Sequence, residues 1–328
     1  MASRWELTVE QWELVEPILR PTRRKDNRGR PWHDARAVLH GAFWVLGTGV
    51  HWSELPAKYP PYQTCHRRFQ QWVREGRLVE VLRRLARHLH ERGKLNLDEA
   101  FVDATFEREK RGFAVGPTKR GKGTKIVPIA SGDGLALAVT VESASPAECR
   151  LVEAVLPGYF LDEPPARLIG DKAYDSDALD KQMSEYGVEM ISPNRINRKE
   201  KTQDGRPLRR YKRRWKVERL FAWMQNFRRP VTRWEYRIEN FLGFVHLAYL
   251  LILSRHLESR DVARWFRSVY LFPALSSAGA SLAAPSSFPH PARRTWTCRF
   301  PASGSRRKDH DFAHEKLAVR CESRSSPS

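Results

Sequence analysis

Three acidic residues occur in settings where an acid needs a reason. Asp103 lies in LNLDEAFVDATF (95–106), where Phe101, Asp103 and Thr105 alternate with Val102, Ala104 and Phe106. That period of two predicts a strand. An Asp inside a strand is disfavoured and costly to bury alone, so it asks for a metal, a partner or an edge position. Asp171 ends the short apolar stretch ARLIGD (166–171), a predicted strand. The carboxyl ends of strands are where open α/β sheets place ligands. Glu218 belongs to RRYKRRWKVERLFAWMQNFRR (209–229), whose spacing predicts one long helix. Tyr211, Arg214, Glu218 and Gln225 share one stripe of that helix, and Leu220, Phe221, Trp223, Met224 and Phe227 gather on the other side. From Arg195 to Arg229 there are fourteen Lys or Arg against three Asp or Glu. Taken alone, Glu218 reads first as one ordinary carboxylate on a solvated basic helix.

Carboxylates from three separate elements can converge at one sheet edge. Such a cluster repels itself unless divalent cations neutralise it. Hard oxygen ligands suit Mg²⁺ or Mn²⁺. Two such ions about 4 Å apart can activate a water or a 3′-hydroxyl and stabilise the leaving oxygen of a phosphodiester. Other acids compete for the part. Asp98 and Glu99 stand at the entry of the first strand, Asp133 fits the turn Gly132-Asp133-Gly134, and Asp175 and Asp177 follow Asp171, with Asp177 or Ser176 suited to cap a helix. Lys172, beside Asp171, either touches phosphate or is merely exposed.

The elements that must position these residues follow from the rest of the pattern. Thr8 and Gln11 form a predicted capping box for a helix over 8–20, with Pro17 bending or shortening it. DARAVLHGAFWVL (34–46) is a second, strongly apolar helix. GTGVHWSELP (47–56) is a turn with a short helical piece. Residues 62–89 read as one helix with Phe69, Trp72 and Val73 inward and Arg67, Arg68, Arg74 and Arg77 outward. Helix, turn, short helix and basic helix is a helix-turn-helix-like order, and its basic face predicts DNA binding. After Gly93 the strand of Asp103 begins. TKIVPIAS (124–131) and LALAVTVE (135–142) make a hairpin. A helix over 145–159 is capped by Ser145 with Pro146 in its first turn. A helix over 176–187, a strand over 188–193, a polar and mobile loop over 194–207, and a buried apolar helix over 239–257 complete the pattern. A hairpin meander running into βαβ crossovers is the order of a ribonuclease-H-like sheet.

Composition narrows the partner. The chain has 328 residues, 58 basic against 38 acidic, and a net charge of +20. That balance points to a polyanion, with nucleic acid ahead of membrane. No apolar run approaches the roughly 18 residues of a membrane span, and the N-terminus has no signal core. Cys65, Cys149, Cys298 and Cys321 show no paired spacing, which fits a reducing, cytoplasmic compartment. Residues 271–328 are rich in Ser, Ala and Pro without apolar period and read as disordered or as a non-homologous extension. Cys298, His310, His314 and Cys321 lack the spacing and surrounding core of a zinc site.

VDATF around Asp103, IGDKAYDSDAL around Asp171 and YKRRWKVERLFAWMQNFRR around Glu218 resemble the Asp-Asp-Glu (DDE) motifs of bacterial insertion-sequence transposases of the insertion-sequence-five type. TKRGKGTKI, VESASP, ENFLGFVHLA and LTVEQWELVEPIL are similar to the connecting and N-terminal segments of that family. The resemblance spans roughly residues 5–257. It implies an α/β fold: a ribonuclease-H-like catalytic core over 93–258, with a mixed sheet flanked by helices. It also implies an all-α, helix-turn-helix-like DNA-binding domain over 1–92, with the low-complexity tail 259–328 outside both. It implies Asp103, Asp171 and Glu218 as the catalytic, metal-binding triad, holding Mg²⁺ or Mn²⁺ as two ions. Tyr211, Arg214 and Glu218 match the family's Tyr-x2-Arg-x3-Glu spacing, and Gln225 stands where the family carries a lysine against phosphate. By the same resemblance Arg214 holds phosphate, and Tyr211 bonds phosphate or stacks on a base. With Gln225, Arg67, Arg68 and Lys172 these make up the expected DNA contacts. The expected partners are double-stranded DNA, as terminal inverted repeats and target, and a second copy of the chain in a dimer or larger synapse. The expected location is cytoplasmic and nucleoid-associated, with no membrane. A catalytically inactive DNA-binding derivative and a metal-dependent nuclease without strand transfer are the alternatives.

Overall fold

The computed structural model describes residues 5–21, 31–109, 112–119, 121–200 and 207–257. The tail 259–328, with Cys298, His310, His314 and Cys321, lies outside them.

The N-terminal part is helical. Helix α1 (Val9–Leu19) opens with the expected capping box: Gln11 N–H donates to the Thr8 hydroxyl, and Thr8 N–H donates to the Gln11 side chain. Helix α2 (Ala35–Thr48) is capped by Asp34 and stops at Gly49, whose φ of 76° suits glycine. A 3-10 turn, Trp52–Glu54, leads to α3 (Tyr62–Arg74) and α4 (Arg77–Glu91). The single helix expected over 62–89 is therefore two. Gly76 adopts the left-handed conformation at φ 68° and turns the chain between them. Arg77 then reaches back to donate to the carbonyls of Ile18 and Arg20, so it is a tie between helices rather than a free outer cation.

The sheet comprises β1 (Ala100–Val102), β2 (Thr105–Arg108), β3 (Gly116–Thr118), β4 (Gly121–Ser131), β5 (Ala136–Ser143), β6 (Arg167–Ile169) and β7 (Glu189–Ile191). β1 and β2 both run antiparallel to β4, and their register passes through without slip: Val102 opposes Ile129 and Thr105 opposes Ile126. They are one strand interrupted at Asp103 and Ala104, so Asp103 lies at a break and not mid-strand as expected. β5 pairs with the far side of β4, while β6 and β7 add in parallel beyond β1. The order β5-β4-β1-β6-β7, with β4 alone antiparallel to its neighbours in the central set, is the ribonuclease-H-like arrangement. β1 is buried along its length, as the middle of a covered sheet requires.

Helix α5 (Glu148–Val155) joins β5 to β6, and α6 (Asp177–Glu185) joins β6 to β7. α5 starts two residues after Pro146, its expected first position. Ser145 makes no cap; its hydroxyl donates to the Pro117 carbonyl on the neighbouring strand. Of the loop expected to be mobile, residues 194–200 are tethered. Arg195 N–H and the Arg198 guanidinium both reach the buried Asp175, and Arg198 also pairs with Asp177.

The helix expected over 209–229 is three pieces: a 3-10 stretch Pro207–Arg213, α7 (Trp215–Met224) and α8 (Arg228–Val231). The 3-10 stretch brings Arg210 and Arg213, three residues apart, onto one side, where both meet Glu99. Phe227 is extended, at φ −105° and ψ 123°, and resets the direction before α8. Helix α9 (Ile238–Leu257) is long and apolar enough to cross a membrane by length and composition, beyond what the sequence pattern suggested. Here it is the central support of the core, packed against α2, α3, α4, α7, α8 and β5.

Candidate active site

Phe101 and Ile169 pair across the parallel strands β1 and β6. Two residues further along each strand stand Asp103 and Asp171, side by side at the carboxyl ends. Each is fixed by a local backbone donor: Ala104 N–H bonds Asp103 at 2.9 Å, and Ala173 N–H bonds Asp171 at 2.7 Å, opening the 3-10 turn Lys172–Tyr174. Helix α5 brings a third acid in its first turn. One carboxylate oxygen from each of Asp103, Glu148 and Asp171 lies within 4.8 Å of the others. Two unit negative charges at that separation repel by about 3 kcal/mol at an effective dielectric near 20. The trio therefore calls for a cation.

Two protein cations are there: Lys125, which pairs with Glu148 at 3.3 Å, and Arg214. The Arg214 guanidinium, at the N-terminus of α7, meets Asp103 at 3.1 Å, Asp171 at 3.6 Å and Glu218 at 3.4 Å. It does not cancel the cost of burying Asp103. Burial pushes that carboxyl up to about 6; Arg214 and the Ala104 N–H pull it down, and Asp171 and Glu148 push it further up. Glu218 is 59% exposed and joins the group through Arg214. Of the three acids singled out in the sequence, the structure gathers Asp103 and Asp171 directly and ties Glu218 to them by one arginine. Glu148 was missed. Its signal was an acid in the first turn of a helix beginning just after a strand, which helix electrostatics alone explain. An all-oxygen, half-buried donor set with an open side fits a hard divalent ion.

Glu99 has a different role from the ligand considered for it. Its buried carboxylate takes Arg210 at 3.3 Å, Lys216 at 3.4 Å and Arg213. It thereby clamps the segment bearing Arg214 and Glu218 onto β1. Asp133 accepts from Asn96 N–H at the hairpin turn, as a turn residue would.

The expected DNA contacts separate into two kinds. Arg67, Lys172 and Gln225 are exposed, Gln225 at the C-terminal cap of α7. Tyr211 is half-buried, with Arg214 5.7 Å from its ring centroid. Arg68 is a correction: it is 5% exposed, donates to Gln71, and lies over the rings of Trp32 and Trp72 at 4.6 and 5.9 Å. On an amphipathic helix Arg68 takes the turn beside Phe69 and Trp72, and stacking offsets its burial.

Comparison with known proteins bears on this arrangement. Residues 7–82 match the family described as "Putative transposase of IS4/5 family", and residues 92–253 match "Transposase DDE domain". The "Insertion element IS402 uncharacterized 16.2 kDa protein" of Burkholderia cepacia is 39% identical over 106 residues, covering 30% of this chain and 70% of that protein. An uncharacterized protein of Sinorhizobium fredii, y4sN, is 30% identical over 120 residues, covering 37% of this chain and 88% of its own. The "Putative transposase for insertion sequence element IS402" of Burkholderia cepacia is 29% identical over 155 residues, covering 44% and 70%. Among solved structures, the piggyBac transposase synaptic complex with hairpin DNA aligns at TM-score 0.44 and 11% identity, over 82% of this chain and 78% of that one.

Proposed function

The chain belongs to the IS4/5-type DDE transposases, and we propose that it binds the terminal inverted repeats of its element, cuts DNA at the element ends and joins the freed 3′-hydroxyls to target DNA. The observation that carries this reading is the pairing of Asp103 and Asp171 at adjacent parallel strand ends, linked by Arg214 to Glu218.

In this reading Asp103, Asp171 and Glu218 hold two Mg²⁺ or Mn²⁺ ions. When bound, the ions activate a water or a 3′-hydroxyl and offset charge on the phosphodiester. The chain's own groups do the rest. Asp103 and Asp171 are aimed by backbone N–H donors before any substrate arrives. Arg214 has the planar donor fork that suits a phosphate, and it can exchange carboxylate partners for one. Tyr211 lies against Arg214 and supplies a hydroxyl or a ring face. Lys172 and Gln225 border the acids and α7 as further phosphate contacts. The helical order α2, turn, α3 presents Arg67 to duplex DNA as the end-reading part, and Arg68 shapes that helix from within. Two element ends must be paired, so the active form is a dimer or a larger synapse.

The test uses labelled inverted-repeat DNA with Mg²⁺. The reading expects a mobility shift, end cleavage and joined product. A shift alone marks an inactive DNA-binding derivative, and cutting without joining marks a nuclease. Asp103→Asn should retain the shift and lose cleavage; normal cleavage by that variant would overturn the site.

A further inference from the structure

We infer that Glu148 is a third protein ligand of the metal site beside Asp103 and Asp171, and that the Tyr174 hydroxyl is a positioning group for that ligand set. The inference rests on the metal-dependent reading above and extends it to residues outside the Asp-Asp-Glu pattern.

The geometry of Glu148 is that of a held ligand. Lys125 on β4 pairs with its Oε1 at 3.3 Å and donates to the Pro146 carbonyl at 3.1 Å, which fixes the entry to α5. That pairing leaves the carboxylate among the oxygens of Asp103 and Asp171. An ordinary first-turn glutamate would satisfy the helix N-terminus equally well while facing solvent. Glu148 instead is turned inward, with its side chain only 23% exposed, toward two like charges. Arg214 touches Asp103, Asp171 and Glu218, and makes no ion pair with Glu148 among the described residues. Glu148 therefore draws its counter-charge from Lys125, while Asp103, Asp171 and Glu218 share that of Arg214.

A second observation is independent of the acids. Tyr174 is fully buried, and its hydroxyl has no hydrogen-bond partner among the described residues. Buried hydroxyls are rarely left unpaired. The 3-10 turn that carries Tyr174 packs on α5, and burial first, then the charges of Glu148, Asp103 and Asp171, hold its hydroxyl well above the usual tyrosine range. Tyr174 stays a neutral O–H donor there. A carboxylate of this set is the acceptor assigned to that hydroxyl when the site is loaded. Metal ligands are generally oriented by outer hydrogen bonds of this kind.

The test is Mn²⁺ binding to the full chain without DNA, by calorimetry and electron paramagnetic resonance. Asp103→Asn, Glu148→Gln, Glu148→Asp and Tyr174→Phe are compared with the unmodified chain. Glu148→Gln should weaken Mn²⁺ on the order of tenfold or more, as Asp103→Asn does, and Glu148→Asp should fall between. Tyr174→Phe should weaken it about tenfold, in the range for outer-shell partners, and alter the Mn²⁺ resonance. Melting in EDTA reports folding separately; if Glu148→Gln fails to fold, Glu148→Asp carries the comparison. If Asp103→Asn weakens Mn²⁺ while folded Glu148 variants stay within about twofold of the unmodified chain, this inference is overturned and the metal reading stands. If Asp103→Asn has no effect either, or the unmodified chain binds no Mn²⁺, the metal reading falls and takes the inference with it.

Discussion

Glu99→Gln should loosen the clamp that seats α7. The Glu99 side chain is only 6% exposed and is shared by Arg210, Arg213 and Lys216. At 3.3 Å and an effective dielectric near 20, each contact has a gross attraction of about 5 kcal/mol. Most of that is offset by desolvation, and losing one partner of a buried pair costs about 3–5 kcal/mol. Here the cations retain access to water: the side chains of Arg210 and Arg213 are 35% and 45% exposed. The amide also keeps one acceptor, so a net loss of about 2–3 kcal/mol is expected. That corresponds to roughly 5–10 °C in melting temperature for a unit of this size. The same change frees the segment leading into α7, so end cleavage should fall while Mn²⁺ still binds at Asp103. Differential scanning calorimetry at low and at 0.5 M salt, a concentration chosen to screen exposed pairs, is the measurement. A shift below about 1 °C, or one that vanishes at high salt, would refute the clamp and reduce these contacts to surface pairs.

Two further changes test separate parts of the molecule. Gln225→Lys restores a charge at the exposed end of α7; end binding should tighten and its log–log salt slope steepen by about one, whereas an unchanged slope in a filter-binding titration would place that end of α7 away from DNA. Burial of His246 in α9 lowers its imidazole from 6.5 to about 4: the unfolded chain takes up the proton first, so its contribution is full above pH 6.5 and is lost as pH falls toward 4, by about 2 kcal/mol at pH 5. Urea unfolding at pH 7.5 and 5 should show that difference shrink in His246→Leu, and an equal difference in both proteins would exclude His246 as the cause.

Much of the site was legible because strand and strand-end positions are local properties. The alternation around Asp103 and the apolar run ending at Asp171 required a sheet edge, and register on β1 and β6 then set the two acids side by side. Glu148 was not legible. Nothing local distinguishes an inward first-turn glutamate from an outward one; the difference comes from where β4 puts Lys125. Arg68 failed for a similar reason, since a guanidinium can be buried wherever aromatic faces receive it, and those faces come from Trp32 and Trp72. Helix ends were lost where one residue's conformation decides. Gly76 and Phe227 break stretches whose side-chain period continues past them.

Helix α9 connects these observations. Its sequence looked like one more buried core helix, yet it touches the helices proposed to read DNA and the elements that carry the carboxylates. From α1, the buried Gln11 side chain donates to the Ser254 carbonyl of α9 at 3.0 Å. At the other side, α7, which bears Glu218, packs on the same helix. Side chains in a close-packed core transmit displacement instead of absorbing it. Helix α3 is therefore held at a set distance from the elements that carry Asp103 and Asp171. The adjustable parts are the exposed Glu218 and the half-buried arginine that ties it to the strand ends. Three carboxylates share the one Arg214 guanidinium, and under the proposed function a substrate phosphate would compete with them for it.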